Sequence, residues 1–159
     1  MKNRKLLSAL ALLLLAIFSI SCSSDNNDRE PDLTPSQTLA STPWLTTNSK
    51  NAAGANVDLK DPNVVNFVGY AYFKADGTFT MYNLDDSPKM HGDWSVTADG
   101  KTRTIVAKND KGETLFTRVV DITVLTRAEF TYRVYPNAND KSVYYDIIHT
   151  PTTHKEPGK

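Results

Sequence analysis

The sequence lacks most of the features that reveal a chemical activity. It contains one cysteine, Cys22, which excludes a disulfide within the chain and a cysteine-rich metal site. It has no G-x-S-x-G nucleophile elbow and no glycine-rich phosphate loop. The histidines are scattered without a metal-ligand spacing, at His91, His149 and His154. We therefore expect no metal, no cofactor and no enzymatic activity.

The chain also lacks an excess of positive charge. Its 18 lysines and arginines are balanced by 18 aspartates and glutamates, giving a formal net charge of zero. Nucleic-acid binding needs a basic surface, so we expect no nucleic-acid partner.

The first twenty residues predict an export signal. Lys2, Arg4 and Lys5 precede an apolar run at residues 6–20, an order typical of secretory signals. A permanent membrane span needs about 20 apolar residues, and this run is shorter. We therefore expect residues 1–21 to be removed.

Cys22 stands where this signal ends. The segment 18–22 (FSISC) resembles a bacterial lipobox, with small Ser21 before the cysteine and Ser19 where leucine is usual. Cleavage before Cys22 and acylation of its thiol would anchor the protein in a membrane, because buried acyl chains hold strongly there. An ordinary secretory signal with an incidental cysteine is the alternative interpretation.

Acidic residues follow the cysteine at Asp25, Asp28 and Glu30. Such residues resemble an export cue of outer-surface lipoproteins. We expect an outer-membrane location, on the periplasmic face or, with slight preference, at the cell surface.

The remaining chain divides into three parts. Residues 22–40 are polar and contain two prolines, which predicts a lipidated flexible tether. Residues 41–150 form one domain of about the usual size. Residues 151–159, rich in proline and glycine, predict a flexible tail.

The domain reads as a series of strands joined by Gly, Asn and Asp turns. The predicted strands are 65–74, 78–82, 91–97, 102–108, 113–125, 129–135 and 142–149. Such a series indicates an all-β antiparallel meander, which can close into a barrel and so remove its free edges. An open β-sandwich is the alternative. Large side chains are expected to point inward and fill the barrel: Phe73, Phe79, Trp94, Phe116, Phe130 and Tyr132.

Four sequence motifs resemble those of a known family. They are Phe73–Phe79 (FKADGTF), Gly92–Val96 (GDWSV), Asp99–Lys101 (DGK) and Leu125–Tyr132 (LTRAEFTY). In this order, over residues 44–149, they resemble small lipocalin-like lipoprotein domains of Gram-negative bacteria. The chain also resembles an uncharacterised family of secreted bacterial domains. The resemblance implies a barrel fold and an envelope location, but no reaction.

Arg118 is the first candidate binding residue. Alternation along residues 115–125 places it on the apolar face with Val120 and Ile122. It could hold a carboxylate or phosphate of a ligand by bidentate hydrogen bonds. It could instead form an ion pair with Asp146 or extend toward solvent at the barrel end.

Four further side chains complete the candidate ligand-binding set: Trp94, Tyr132, Tyr144 and Asp146. Tyrosine combines a flat apolar body with a polar tip, which suits sugars, lipids and partner proteins. Cross-strand packing is the alternative role of these residues. The sequence as a whole predicts a non-catalytic binding module for a small amphipathic ligand, or for an envelope protein or glycan. A structural lipoprotein with a filled barrel is the alternative.

Overall fold

The computed structural model describes residues 32–158, so Cys22 and the predicted signal lie outside the described residues. This part of the chain contains one short α-helix and eight strands. They are α1 (Pro35–Ala40), β1 (Trp44–Asn51), β2 (Tyr70–Phe73), β3 (Thr78–Tyr82), β4 (Pro88–Val96), β5 (Thr102–Lys108), β6 (Thr114–Leu125), β7 (Phe130–Val134) and β8 (Tyr145–Pro151).

The strands form a closed barrel in chain order. Each strand pairs antiparallel with the next, and β1 closes the barrel by pairing with β8 from Trp44 opposite Pro151 to Asn51 opposite Tyr145. The prediction of an antiparallel meander that closes into a barrel is therefore confirmed, and the open sandwich is not found. Short turns join β2 to β7 in succession, whereas longer segments lead from β1 to β2 and from β7 to β8. The pairing of β1 with β8 then removes the free edges of the meander.

Gly92 allows β4 and β5 to approach closely inside the barrel. Its φ of 154° is one that other residues rarely adopt, and a Cβ at this position would collide with the carbonyl oxygen of Val106. Only glycine fits such a contact between two backbones.

Aromatic side chains fill most of the barrel interior. Phe73, Phe79, Trp94, Phe130 and Tyr132 are buried, as predicted. Phe116 differs, because it lies at the barrel end and keeps 37% of its surface exposed. The interior is therefore packed over most of its length and open near the start of β6.

Helix α1 closes the other end of the barrel. These residues were expected to be a flexible tether, but Thr34 and Gln37 form a capping box that begins the helix. Leu39 is fully buried, and its carbonyl accepts a 2.8 Å hydrogen bond from Nε1 of Trp44. The capping and the burial together explain why the chain is helical here.

The strand predicted at 65–74 is confirmed only in its second half, as β2 (Tyr70–Phe73). Residues Val65–Phe67 form a 3₁₀ turn, in which the amide of Phe67 donates to the carbonyl of Val64 at 2.8 Å. Phe67 packs edge-on against Tyr132 with ring centroids 6.3 Å apart. The turn thus places Phe67 in the open end of the barrel, here called the mouth.

The C-terminal segment, residues 152–158, lies on the outer face of β2 and β3 instead of standing free. The ring of His154 stacks on Tyr70 with centroids 3.9 Å apart. Glu156 accepts a 3.0 Å hydrogen bond from Nζ of Lys74. Side-chain contacts of this kind could not be expected from the proline and glycine content of the segment.

Candidate functional site

A small cavity lies inside the barrel below the mouth. Its volume is about 20 Å³, close to the roughly 10–15 Å³ that a single water needs. The side chains that define its chemistry come from β4 to β8: Lys89, Arg103, Arg118, Tyr132 and His149. The site therefore has room for one water or a very small group.

Three of these side chains are cations from three neighbouring strands. Lys89 belongs to β4, Arg103 to β5 and Arg118 to β6. Ile105 of β5 lies directly opposite Arg118 of β6. Arg103 lies two residues before Ile105 on the same strand. Arg103 and Ile105 point to the same face of β5, and both arginines line the cavity.

Arg103 is the most deeply buried of the three, with 2% of its surface exposed. Its guanidinium carbon lies 4.4 Å from the ring centroid of Tyr132 and 5.3 Å from that of Phe130. Its Nε atom is buried without a hydrogen-bond partner. Burial lowers the pKa of Arg103 and the nearby Arg118 lowers it further, whereas interaction with Tyr132 opposes the shift.

Lys89 is held at the rim of the cavity. Its Nζ donates a 2.6 Å hydrogen bond to the carbonyl oxygen of Val68. Burial lowers the pKa of Lys89, and the positive charge of Arg118 adds to the effect. The cations therefore repel one another in a partly desolvated space, where Coulomb interactions are stronger than in water.

Within the described residues, no carboxylate balances this charge. Across residues 32–158, Lys89, Arg103 and Arg118 have no acidic side chain within ion-pair distance. Buried cations are normally paired, so the cluster is an unusual concentration of uncompensated positive charge. An anion is the species that would compensate it.

The remaining polar side chains of the cavity are neutral. Nδ1 of His149 lies 3.2 Å from the carbonyl oxygen of Phe130, to which it donates because a carbonyl only accepts. Burial lowers the pKa of His149 to about 3, with help from the positive charge of Arg103. Burial raises the pKa of Tyr132. Both rings are uncharged near neutral pH and can offer hydrogen bonds.

Two larger clefts adjoin the cavity and share residues with it. The outer groove, about 410 Å³, lies beside Met81, Lys89, Met90 and Phe116. The seam cleft, about 280 Å³, lies between β6 and the loop after β7 and is bounded by Phe67, Arg118, Tyr135 and Lys141. Lys89 thus lines both the cavity and the first cleft, and Arg118 lines both the cavity and the second.

The structure brings together only two of the predicted ligand-binding residues. Arg118 and Tyr132 both line the interior cavity. Trp94 is buried away from it, packed on Phe73 at 5.2 Å and donating from Nε1 to the carbonyl of Lys74. Trp94 therefore belongs to the packed part of the core.

Tyr144 and Asp146 lie on the outer face of the barrel. Asp146 receives two hydrogen bonds from Arg133, at 2.8 and 2.9 Å, and the guanidinium carbon of Arg133 lies 3.6 Å from the Tyr144 ring centroid. The ion pair with Asp146, one of the alternatives considered for Arg118, is not found, because Asp146 pairs with Arg133. Arg133 and Asp146 are direct cross-strand partners, whereas Arg118 points to the inner face.

Three cavity residues escaped the sequence analysis: Lys89, Arg103 and His149. Arg103 alternates with buried Ile105 and Ala107, and His149 alternates with buried Ile147. That alternation was the available signal, because it places each polar side chain on the apolar face of its strand. Lys89 gave no such signal, since the sequence placed it in a loop.

The closed meander with next-neighbour pairing is the architecture of lipocalin-like barrels, and the cations give this barrel a candidate anion site. The chain belongs to the family described as "Domain of unknown function (DUF4822)", whose model matches residues 36–158. Among solved structures, a lipocalin-like protein from Bacteroides uniformis ATCC 8492 is similar, with 16% identity and a TM-score of 0.48. That match covers 72% of this chain and 99% of the other. No curated protein matches.

Residues 32–158 contain no group of three or more histidine, cysteine, aspartate or glutamate side chains able to hold a metal ion. In the same part of the chain, no helix is long and apolar enough to cross a membrane.

Proposed function

We propose that the barrel is a non-catalytic binding module for a small amphipathic anion. The observation that carries the proposal is the convergence of Lys89, Arg103 and Arg118 on one cavity without a carboxylate partner among the described residues. A bound anion would offset the mutual repulsion of these cations. It would also supply acceptors for guanidinium donors, and such charge-assisted hydrogen bonds are strong.

The dimensions of the site favour a ligand with two parts. The cavity admits only a very small group, so a carboxylate or similar head would lie at its upper edge, between Lys89 and Arg118. An apolar tail would then follow the outer groove along Met81, Met90 and Phe116. Flexible methionines suit such a groove because they adapt to different apolar shapes.

Calorimetric titration with decanoate and with decanol tests this function. The two probes share a chain length but differ in charge, so we expect decanoate to bind at least about tenfold more tightly, or about 1.4 kcal/mol. Arg118→Gln should remove that preference. Lys101→Gln is the matched control, because Lys101 lies in the β4–β5 turn at the other end of the barrel. Equal binding of both probes, or an unchanged preference in Arg118→Gln, would refute an anion site.

A structural lipoprotein with a filled barrel is the second candidate function. It is supported by the small cavity and by the packed aromatic interior. Under this proposal neither probe would bind. Native mass spectrometry of protein purified from its own host would then reveal no co-purifying small molecule.

We further propose that Cys22 is the lipid attachment site and that the protein resides in the outer membrane. The support is the order of signal, small residue, cysteine and acidic tether in residues 1–30. Metabolic labelling with an alkyne fatty acid should mark the wild type and leave Cys22→Ser unmarked. Protease shaving of intact cells would distinguish the cell surface, where the protein is cleaved, from the periplasmic face, where it is protected.

A further inference from the structure

The guanidinium of Arg103 is buried beside the interior cavity with one of its donors unused. Arg103 keeps 2% of its surface exposed and lines the cavity. Its Nε has no hydrogen-bond partner among residues 32–158. A guanidinium has five N–H donors, no acceptor and a permanent positive charge, so its burial without an acceptor is unfavourable. The side chain therefore needs an acceptor inside the cavity.

The ionisable groups around Arg103 do not supply a negative charge. Within the described chain, the two ionisable side chains that interact with it are Tyr132, which burial keeps neutral, and Arg118, which is positive. Arg118 is also the charged group that acts on Lys89. A water molecule would accept a hydrogen bond from Nε and leave the net charge unchanged. An anion would supply both the acceptor and the opposite charge.

The size of the cavity limits the kind of anion that it can enclose. Its volume is about 20 Å³, whereas one water needs about 10–15 Å³ on this measure. A chloride ion is only slightly wider than a water molecule. Sulfate and phosphate carry four oxygens around a central atom, and a carboxylate is bonded to further carbon. A halide ion is therefore the anion that fits the cavity whole.

The lining of the cavity favours an anion that gives up its water readily. Apolar side chains share the wall with the cations, among them Phe67, Ala71 and Ile105. An ion inside would exchange most of its hydration shell for protein donors, and this exchange is less costly for a large halide than for a small one. Chloride thus suits the cavity better than fluoride does.

We propose that a chloride ion binds inside the barrel as a structural anion, held by Arg103 and Arg118. It lies deeper than the carboxylate head of the proposed ligand, which takes the upper edge between Lys89 and Arg118. The ion offsets the repulsion between the two guanidinium groups and binds only the folded barrel, so it stabilises the fold by mass action. The inference goes beyond the proposed function, because it requires the cation cluster and no amphipathic ligand.

Thermal unfolding of the full chain in two salts tests the proposal. Sulfate strengthens apolar burial in general but is too large for the cavity, so a specific chloride site would give chloride the larger effect. About 0.1 M sodium chloride should raise the unfolding midpoint of the wild type by about 5 °C, the shift from a ligand at about ten times its dissociation constant. Sodium sulfate at the same ionic strength screens charges equally and should raise the midpoint less.

Two variants locate the chloride effect in the molecule. Arg103→Met should lose the difference between chloride and sulfate, because it removes the buried donors and their charge. Lys101→Gln removes one positive charge at the other end of the barrel and should keep the difference. A wild type that gains no more stability from chloride than from sulfate would overturn the proposal. Retention of the full difference in Arg103→Met would overturn it as well.

Crystals of the wild type grown in sodium bromide provide a measurement that needs no variant. Bromide replaces chloride in halide sites and scatters anomalously, so its position can be read directly. We expect an anomalous peak inside the barrel, in contact with the guanidinium groups of Arg103 and Arg118. Peaks confined to the protein surface would identify an adventitious ion only and would overturn the internal site.

These outcomes are separable from those of the decanoate titration. Failure of decanoate to bind would refute the proposed function, while a chloride-specific rise of the midpoint would still support the internal anion. Decanoate binding without any chloride-specific rise would overturn the internal anion and leave the proposed function in place.

Discussion

Lowering the pH should destabilise the protein through one buried histidine. His149 is buried in the cavity wall, where the pKa of its ring lies at about 3 because of burial and the positive charge of Arg103. The unfolded chain binds a proton at this side chain near pH 6.5. Between these two values the unfolded state holds more protons than the folded state, so stability falls as the pH falls.

The size of the effect follows from the width of this window. Well below pH 6.5, each pH unit removes about 1.4 kcal/mol from the free energy of unfolding, until the folded state also takes up the proton near pH 3. Between pH 7.5 and pH 5.0 the loss from His149 is therefore about 2 kcal/mol. Carboxylates titrate mainly below pH 5. A loss of stability between pH 7.5 and pH 5.0 therefore reports mainly on histidine.

Urea unfolding at pH 7.5 and pH 5.0, followed by tryptophan fluorescence, measures the loss. The wild type should lose about 2 kcal/mol more than His149→Gln over this interval, whereas His91→Gln should behave like the wild type because His91 is exposed. Nuclear magnetic resonance provides a second measurement on the wild type, in which the His149 ring should show no titration above about pH 4. An NMR titration of His149 near pH 6.5 would refute the reasoning.

Three further substitutions have distinct expected outcomes, each measured by urea unfolding. Gly92→Ala should lower the free energy of unfolding by at least about 2 kcal/mol, because the added Cβ collides with backbone. Gly112→Ala is the control, since Gly112 lies at a hairpin tip with open space around it. Equal losses of stability in the two variants would contradict the collision. Arg103→Met should keep the free energy of unfolding within about 1 kcal/mol of the wild-type value or raise it, since a buried unpaired cation is costly. The same substitution should weaken decanoate binding. A loss of stability above about 3 kcal/mol would instead show that the cation stabilises the core. Asp146→Asn should lower the free energy of unfolding by about 1 to 2 kcal/mol, because it breaks the ion pair with Arg133. Decanoate binding should be unchanged. Weaker decanoate binding by this variant would show that Asp146 contributes to the ligand site.

Strand positions were the most predictable part of the fold. Residues 102–108 form the predicted strand with unchanged bounds, because alternating apolar residues and flanking Asp-Gly turns are local signals. The segment 65–74 was less predictable. Its apolar residues suit a strand, but Val64 and Val68 are buried from a 3₁₀ turn instead. Continuous apolar runs do not distinguish these outcomes.

The candidate site was predictable only in part. Arg118 and Tyr132 followed from alternation, since each shares a strand face with apolar residues. The pairing of Asp146 did not follow, because the sequence does not state which residue of β7 faces which residue of β8. A shift of one residue in register exchanges the inner and outer faces of a strand. For this reason Tyr144 and Asp146 were assigned to a site that lies on the other side of the barrel wall.

The amino-acid sequence by itself determined an all-β meander, an interior crowded with aromatic rings and an inward arginine on β6. These properties depend on alternation and turn chemistry, which act over a few residues. Tertiary structure alone decided that Lys89, Arg103 and Arg118 line one cavity. It also decided that Arg133 forms an ion pair with Asp146 and that β6 extends past its partner β7. Each of these depends on barrel curvature, strand register and relative strand length, which arise only when distant segments pair.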